Sequence, residues 1–212
     1  MTQTPANLRG VLGTIDLRTC EATPDTLTSV ISLVIEIARE GREGRRIGTI
    51  FTVGAEEAVL RRSRCLILDP LAGHPLEHLH LDDPNLRETI KELAQLDGGF
   101  VVSGAGHVLS ACRYFESTLP ETTQPLGLGT RHLAAASISA STGALAIVVS
   151  ESSVVRIFST GQLMTEILPE LWLLSQYMPH IAHPTYTSDQ EQNLAILSEP
   201  SLDHPTQKLD DR

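Results

Sequence analysis

Short apolar runs, each closed by glycine or a polar turn and separated by stretches of helical period, set the architecture open to this chain. Ile47-Gly48-Thr49-Ile50-Phe51-Thr52-Val53 reads as a buried strand. Residues 97–102 and 107–114 read as a β-hairpin around Gly104-Ala105-Gly106. Leu145-Ala146-Ile147-Val148-Val149 and Val154-Val155-Arg156-Ile157-Phe158 read as neighbouring strands, with a turn at Gly161-Gln162. Cys65-Leu66-Ile67-Leu68 predicts one more short strand. Between these runs the period changes. Leu27, Val30, Ile31, Val34, Ile35 and Ala38 make one apolar face of a helix over 26–39, with Asp25 as its expected cap and Gly41 and Gly44 as its end. A short helix is expected over 55–60. Asp83-Pro84, a capping residue followed by proline, opens another helix that runs to about Gln95. Thr130 to Ser139 predicts a helix of small residues. Hairpins interleaved with helices favour an α/β (α+β) fold, a mixed sheet flanked by helices, over a regular parallel βαβ array.

A chain of 212 residues is long enough for one domain with a proper core. Aromatic residues are only 4% of it, so aliphatic and alanine side chains must do most of the filling. The reading divides it into an N-terminal extension over 1–24, a domain over 25–168, an apolar segment over 169–188 and a mobile tail over 189–212. Val11 to Leu17 predicts an extra strand in the extension, and Leu163 to Tyr177 reads as apolar and helical at its end. The formal net charge of −10 excludes nonspecific nucleic-acid binding, which needs dense Lys and Arg. Nearly all the basic charge is arginine, with lysine only at Lys91 and Lys208, a bias to which the sequence attaches no function. Cys20, Cys65 and Cys112 lie far apart with no C-x-x-C spacing and read as free thiols of a reducing compartment. The N-terminus has no basic start with an apolar core, and no apolar run reaches transmembrane length. A soluble, cytoplasmic protein with no membrane partner is expected.

Two motifs carry chemistry. Asp97-Gly98-Gly99 heads the apolar run Phe100-Val101-Val102 and puts a short carboxylate beside backbone that a ligand can approach closely. Gly127-Leu128-Gly129-Thr130-Arg131-His132 runs straight into Leu133-Ala134-Ala135-Ala136, so a glycine turn, a hydroxyl, a guanidinium and an imidazole fall where a helix begins. Thr130 is expected to cap that helix and meet a phosphate, Arg131 to bind phosphate oxygens in pairs, and His132 to donate to phosphate or assist a metal. A turn before a strand and a capped helix with a surface arginine are the plainer alternatives. Together the motifs hold what a nucleoside triphosphate and its metal ion need.

This pairing resembles the diadenylate cyclase family, whose pattern is Asp-Gly-Ala followed by Arg-His-Arg. The resemblance runs from about Thr26 to about Ile167. It includes Asp69-Pro70-Leu71-Ala72-Gly73-His74-Pro75, Ile90 to Leu96 before Asp97, and Ile147-Val148-Val149-Ser150-Glu151. It implies a mixed, mostly antiparallel central sheet flanked by helices. It implies ATP as substrate, Mg²⁺ or Mn²⁺ held by Asp97, and two subunits whose sites face each other, hence a homo-oligomer. By the same resemblance Tyr114 and Phe115 flank the adenine, Ser150 touches the nucleotide, and Glu151 is a second acidic group and candidate general base. Gly98, Gly99 and Gly129 belong to the backbone that cradles the ligand.

The chain departs from the pattern twice. Gly99 replaces alanine, a change expected to spare the chemistry, and Leu133 replaces the second arginine. Leucine cannot hold a phosphate. Either Arg113 or Arg156 substitutes, or the chain binds nucleotide or cyclic di-AMP as a sensor without turnover. A purely structural interaction module is a third reading. His74, His78 and His80 with Asp82 and Asp83 are an irregularly spaced zinc candidate, and Arg61, Arg62 and Arg64 form a small basic cluster.

Overall fold

The computed structural model describes residues 20–42, 44–117, 129–169, 185–189 and 194–198, the last two stretches as backbone strands. Helix α1, Pro24–Glu40, begins at Thr23, whose Oγ1 accepts the Thr26 N–H at 3.1 Å. Thr23 is therefore the cap, and the expected Asp25 sits inside the first turn. Pro24 is tolerated there because its missing N–H would have had no partner. Gly41, at φ +53°, ends the helix and donates its N–H to Ile37 at 3.1 Å. Strand β1, Thr49–Val53, is buried along its whole length. Helix α2, Glu56–Arg61, follows a left-handed Ala55.

Strand β2, Ser63–Cys65, replaces the strand expected over 65–68. Leu68 in that run is 93% exposed, because apolar content alone does not bring a segment under the sheet. Asp83 caps helix α3, Pro84–Leu93, as expected, accepting from the Asn85 N–H at 2.8 Å. Strands β3, Gly99–Val102, and β4, Val108–Phe115, form the expected antiparallel hairpin. Helix α4 is Thr130–Thr142, and β5, β6 and β7 are Leu145–Val149, Val155–Ser159 and Gln162–Ile167. The start of the segment expected to be apolar and helical at its end, over 163–177, is thus an edge strand with alternating exposure, and residues 170–177 lie outside the described residues. So does the strand expected over 11–17.

The seven strands lie in the order β2-β4-β3-β1-β5-β6-β7. Only β1 and β3 run parallel; every other pair is antiparallel. The sheet is mixed and mostly antiparallel, as expected. Alternate side chains go to opposite faces. Phe51, Val53, Phe100, Val102, Ile147 and Val149 pack with α1 and α3. Ile50, Val101, Ala146, Val148 and Phe158 pack with Val59 of α2 and Ala135, Ala136 and Ile138 of α4. The Phe51 and Phe100 rings stack at 4.6 Å between centroids across the parallel pair. The buried hydroxyls of Thr49 and Thr52 donate to the carbonyls of Gly98 and Phe100, so the core keeps no unmet donor there. A separate two-stranded hairpin is formed by β8, Thr185–Asp189, and β9, Leu194–Ser198.

Helices α1 and α3 are clasped by charge as well as by apolar contact. Lys91 is 7% exposed and reaches Glu36 at 3.0 Å, Glu88 at 2.9 Å and Glu40 at 3.4 Å. Arg87 bonds Glu36 at 2.7 Å, and Arg42 pairs with Glu92 and Glu88. Burial pushes the Glu36 carboxyl up, but Lys91 and Arg87 outweigh it and hold its pKa below the usual range. Burial pushes Lys91 down, and its bonds to Glu88 and Glu36 more than reverse this, leaving it raised. The contribution from Glu36 is therefore present at neutral pH and lost as pH falls through its depressed pKa; that from Lys91 persists until pH rises through its raised one. Lys91→Ala is expected to lower stability at pH 7 by about 2 kcal/mol, because the half-buried Glu36 keeps Arg87 but loses its ammonium partner. Urea unfolding should show the gap to wild type closing below about pH 4 as the carboxylates protonate. A gap that is the same at pH 3 and pH 7 would assign the loss to packing instead.

Candidate active site

The sheet brings both motifs to one end. Ile50 pairs with Gly99 in the parallel register and Thr49 pairs with Val149 in the antiparallel one. The starts of β1 and β3 and the end of β5 therefore lie side by side. Helix α4 begins over the same end, because a Cβ on Gly48, just ahead of β1, would fall 2.7 Å from Arg131 Nη1. The cap of α4 is Gly129, in extended conformation and with no side-chain bond, not Thr130. Thr130 is the first helical residue, and its side chain is left to face outward.

Three cavities meet at Arg131 among the described residues. The largest, about 610 Å³, is lined by Asp97, Gly98, Thr130 and Arg131 on one side. Ile50, Leu66, Tyr114 and Phe115 give it an apolar side. A second, about 220 Å³, lies between Gly129, Thr130, Arg131 and His132 of α4 and Ser150 and Glu151 after β5. A third, about 200 Å³, is bounded by Arg45, Arg46, Asp97, Arg131 and Glu151. The carboxylate of Asp97 and the guanidinium of Arg131 thus share two of the three.

Asp97 is exposed and has no side-chain hydrogen bond or ion pair among the described residues. Its approach is kept open by glycine. Gly98 has φ +103°, and a Cβ there would come within 2.7–2.9 Å of the Cys112 and Arg113 backbone. A bulge in β4 accounts for the crowding: the register shifts between Gly99↔Arg113 and Val101↔Ser110, and Cys112 takes φ +53°. A Cβ on Gly99 would meet the Ile50 carbonyl at 2.5 Å and Phe115 Cε2 at 2.7 Å. The alanine of the family pattern needs β1 or Phe115 to move, so this glycine is matched to the packing of this chain.

Arg131 bonds Glu151 at 2.9 Å, with both side chains partly in solvent. His132 is buried. Its Nε2 accepts from Arg156 Nη1 at 3.1 Å, which leaves the ring proton on Nδ1. That Nδ1 faces the Gly129 carbonyl without a well-aligned hydrogen bond. Burial first, and the Arg156 charge second, hold the imidazole below its ordinary pKa, so it is neutral at pH 7. Ser150 uses its hydroxyl in its own turn, donating to the Val154 carbonyl at 3.0 Å and meeting Ser152 Oγ at 2.7 Å.

Phe115 is core, and Tyr114 is 42% exposed with Arg64 over its ring at 4.9 Å. The two follow opposite faces of β4 yet both border the large cavity. Leu133 is half-buried and lines it too. Of the two candidate substitutes for the missing arginine, Arg113 lines the large cavity, and both are already bonded within the protein. Arg113 bonds Ser63 Oγ and the Ser63 carbonyl, each at 2.8 Å, and Arg156 is taken by His132 and by Glu166 at 2.5 Å. Among the described residues no three His, Cys, Asp or Glu side chains converge as a metal site, the His74–Asp83 loop included. His80 instead bonds the Ala105 carbonyl at 3.0 Å.

Gly48, Arg45 and Arg46 were not singled out by sequence. A glycine inside the apolar run 47–53 was the available signal of a close approach. The paired arginines after Gly44 gave none, because a basic dipeptide in a turn is ordinarily a solvated surface.

Comparison with known proteins places the chain in a family. Residues 36–163 match the family described as DisA bacterial checkpoint controller nucleotide-binding. The chain is 45% identical over 150 residues to a diadenylate cyclase of Methanocaldococcus jannaschii, covering 70% of this chain and 47% of that one. It is 38% identical over 154 residues to a diadenylate cyclase of Haloferax volcanii, covering 71% and 55%. It spans about half the length of these curated relatives. A solved structure described as a hypothetical membrane spanning protein from Bacillus cereus shares the fold, with TM-score 0.56, 21% identity, and coverage of 78% of this chain and 72% of that. No helix among the described residues of the present chain is long and apolar enough to cross a membrane. Fold and sequence define a nucleotide-binding α+β domain. The chain belongs to the DAC family, the diadenylate cyclase domains.

The His132 environment is directly measurable. Its imidazole resonances are expected to titrate below the ordinary value of about 6.5. Arg156→Ala should move that midpoint upward by removing a neighbouring cation. An unchanged midpoint in the variant would show that burial alone sets it.

Proposed function

We propose that this domain condenses two ATP molecules into cyclic di-AMP. Each 3′-oxygen attacks the α-phosphorus of the other nucleotide, the bond from that phosphorus to the β-bridging oxygen breaks, and pyrophosphate leaves. The observation that carries the reading is the 610 Å³ cavity that Asp97 and Arg131 line together. Its apolar side at Ile50, Tyr114 and Phe115 suits a purine face. Its polar side at Thr130 and Arg131 suits phosphate oxygens. Glu151 lies outside the large cavity, and its bond to Arg131 supports a positioning role rather than that of a general base.

Asp97 fits a divalent cation, Mg²⁺ or Mn²⁺, because a lone unpaired carboxylate plus substrate phosphates is the usual donor set for such ions. A bound cation supplies charge neutralisation at the phosphates. The protein residues do the rest: Arg131 and Thr130 hold the triphosphate, Gly98 and Gly99 let it approach, and Tyr114 and Phe115 border the base. Two facing subunits are needed for two reciprocal attacks. The exposed run Leu66, Ile67 and Leu68, of which Leu66 lines the cavity, supports a second copy as the partner. A cytoplasmic site of action belongs to the same proposal.

A second reading, a nucleotide-binding sensor, is favoured by one observation: Leu133 lines the cavity where the family places arginine, and Arg113, which also lines it, and Arg156 are already bonded within the protein. Incubation of the purified chain with ATP and Mn²⁺, read by mass spectrometry, separates the two. The cyclase reading expects cyclic di-AMP; the sensor reading expects binding with none. Asp97→Asn should cut product formation by at least about a hundredfold, the scale of losing a metal's several kcal/mol, with an unchanged melting profile. Full activity in that variant would remove Asp97 from the chemistry.

A further inference from the structure

The 200 Å³ cavity shares Asp97, Arg131 and Glu151 with the site above, and its remaining wall has no part in those assignments. Its wall is the turn between α1 and β1. Arg42 and Arg45 exchange backbone hydrogen bonds of 2.9 and 2.8 Å, and Gly44 takes φ +75° between them. Gly41 packs so close that a Cβ on it would fall 2.2 Å from the Arg45 carbonyl. Arg42 anchors the turn to Glu88 and Glu92 of α3.

Arg45 and Arg46 are left over. Both border the cavity, both are exposed, and neither has a side-chain hydrogen bond or ion pair among the described residues. Across from them stand Asp97, also unpaired, and the Arg131–Glu151 pair. The cavity therefore presents two exposed guanidinium groups, without a protein partner among the described residues, beside an arginine that also lines the large cavity. With Arg42 tied to Glu88 and Glu92, three arginines face two carboxylates there, in a chain of net charge −10. The cavity also lies next to the site that lacks its expected second arginine at Leu133.

We propose that Arg45 and Arg46, with Arg131, form a diphosphate site that takes the β- and γ-phosphates of ATP and the pyrophosphate that leaves. They supply from the α1–β1 turn the cationic contact that Leu133 cannot supply from α4. Guanidinium forks suit this task, because each can bond two oxygens of one phosphate group. The ATP end of the proposal rests on the functional reading given above; the anion site itself stands on the turn and the cavity.

The test uses the full chain and calorimetric titration with inorganic pyrophosphate, with a non-reactive ATP analogue, and with AMP. The Arg45→Ala/Arg46→Ala double variant is expected to weaken pyrophosphate and the ATP analogue by about tenfold or more, the scale of one or two charge-assisted bonds. AMP affinity should stay within about twofold, since AMP has no phosphate in this cavity. The Arg45→Lys/Arg46→Lys variant keeps charge without the fork and should fall between. Equal loss of AMP and ATP-analogue binding, unchanged pyrophosphate binding, or no pyrophosphate binding by wild type would each overturn the proposal. A wild type that makes no cyclic di-AMP while the double variant loses pyrophosphate would keep the anion site and overturn only the cyclase reading. A wild type that makes cyclic di-AMP while the double variant binds pyrophosphate as tightly would do the reverse.

Discussion

The parallel pairing of β1 with β3 is the constraint from which the rest follows. Both strands are buried on both faces, so their backbone groups have no water to turn to and must be met by each other and by β4 and β5. The pairing needs a crossover, and residues 54–98 provide it through α2, β2 and α3. It also aligns the two strand beginnings. Gly48 and Asp97 come to the same end of the sheet only because Ile50 pairs with Gly99. Three glycines, Gly48, Gly98 and Gly99, then keep that end thin enough for Arg131, the β4 backbone and Phe115 to close over it.

Charge in this molecule is distributed by task. The cations of α3 and the α1–β1 turn, Arg42, Arg87 and Lys91, are tied to carboxylates and hold helices together. Arg113 and Arg156 are tied to Ser63, to His132 and to Glu166, and they hold the frame of the site. A guanidinium already bonded on several edges resists further recruitment, because a ligand would have to replace those bonds with no net gain. Arg131 has a single exposed carboxylate partner, which screening weakens and a phosphate can outcompete.

Legibility in the sequence followed the range of the interaction. The hairpin around Gly104-Ala105-Gly106, the apolar face of α1, the Asp83-Pro84 helix start and the β5–β6 pair all announce themselves through neighbours a few residues away. Errors came where a local signal had two readings. Asp25 and Thr23 are both capping types, and the backbone chose the one followed by proline. Thr130 looked like a cap, yet Gly129 takes the extended conformation and Thr130 enters the helix. Leu66-Ile67-Leu68 looked like a strand because apolar residues usually are buried, and here they stay exposed beside a cavity. The close contacts of Gly99 with Ile50 and Phe115 had no signal in the sequence, because they depend on strand packing.

What the sequence determined by itself was the list of parts: a carboxylate on a glycine turn, an Arg-His pair at a helix start, and enough paired apolar runs to build a sheet between helices. Those are matters of residue type and short spacing, which local backbone physics reads directly. Which parts meet was decided by tertiary structure alone. The register of β1 against β3 and β5 joined segments about fifty and about a hundred residues apart, set Arg131 over Gly48, bonded Arg113 and Arg156 into the frame, and brought Arg45 and Arg46 to the same end. No spacing along the chain encodes such meetings, because strand order and register minimise the free energy of the whole core rather than of any one segment.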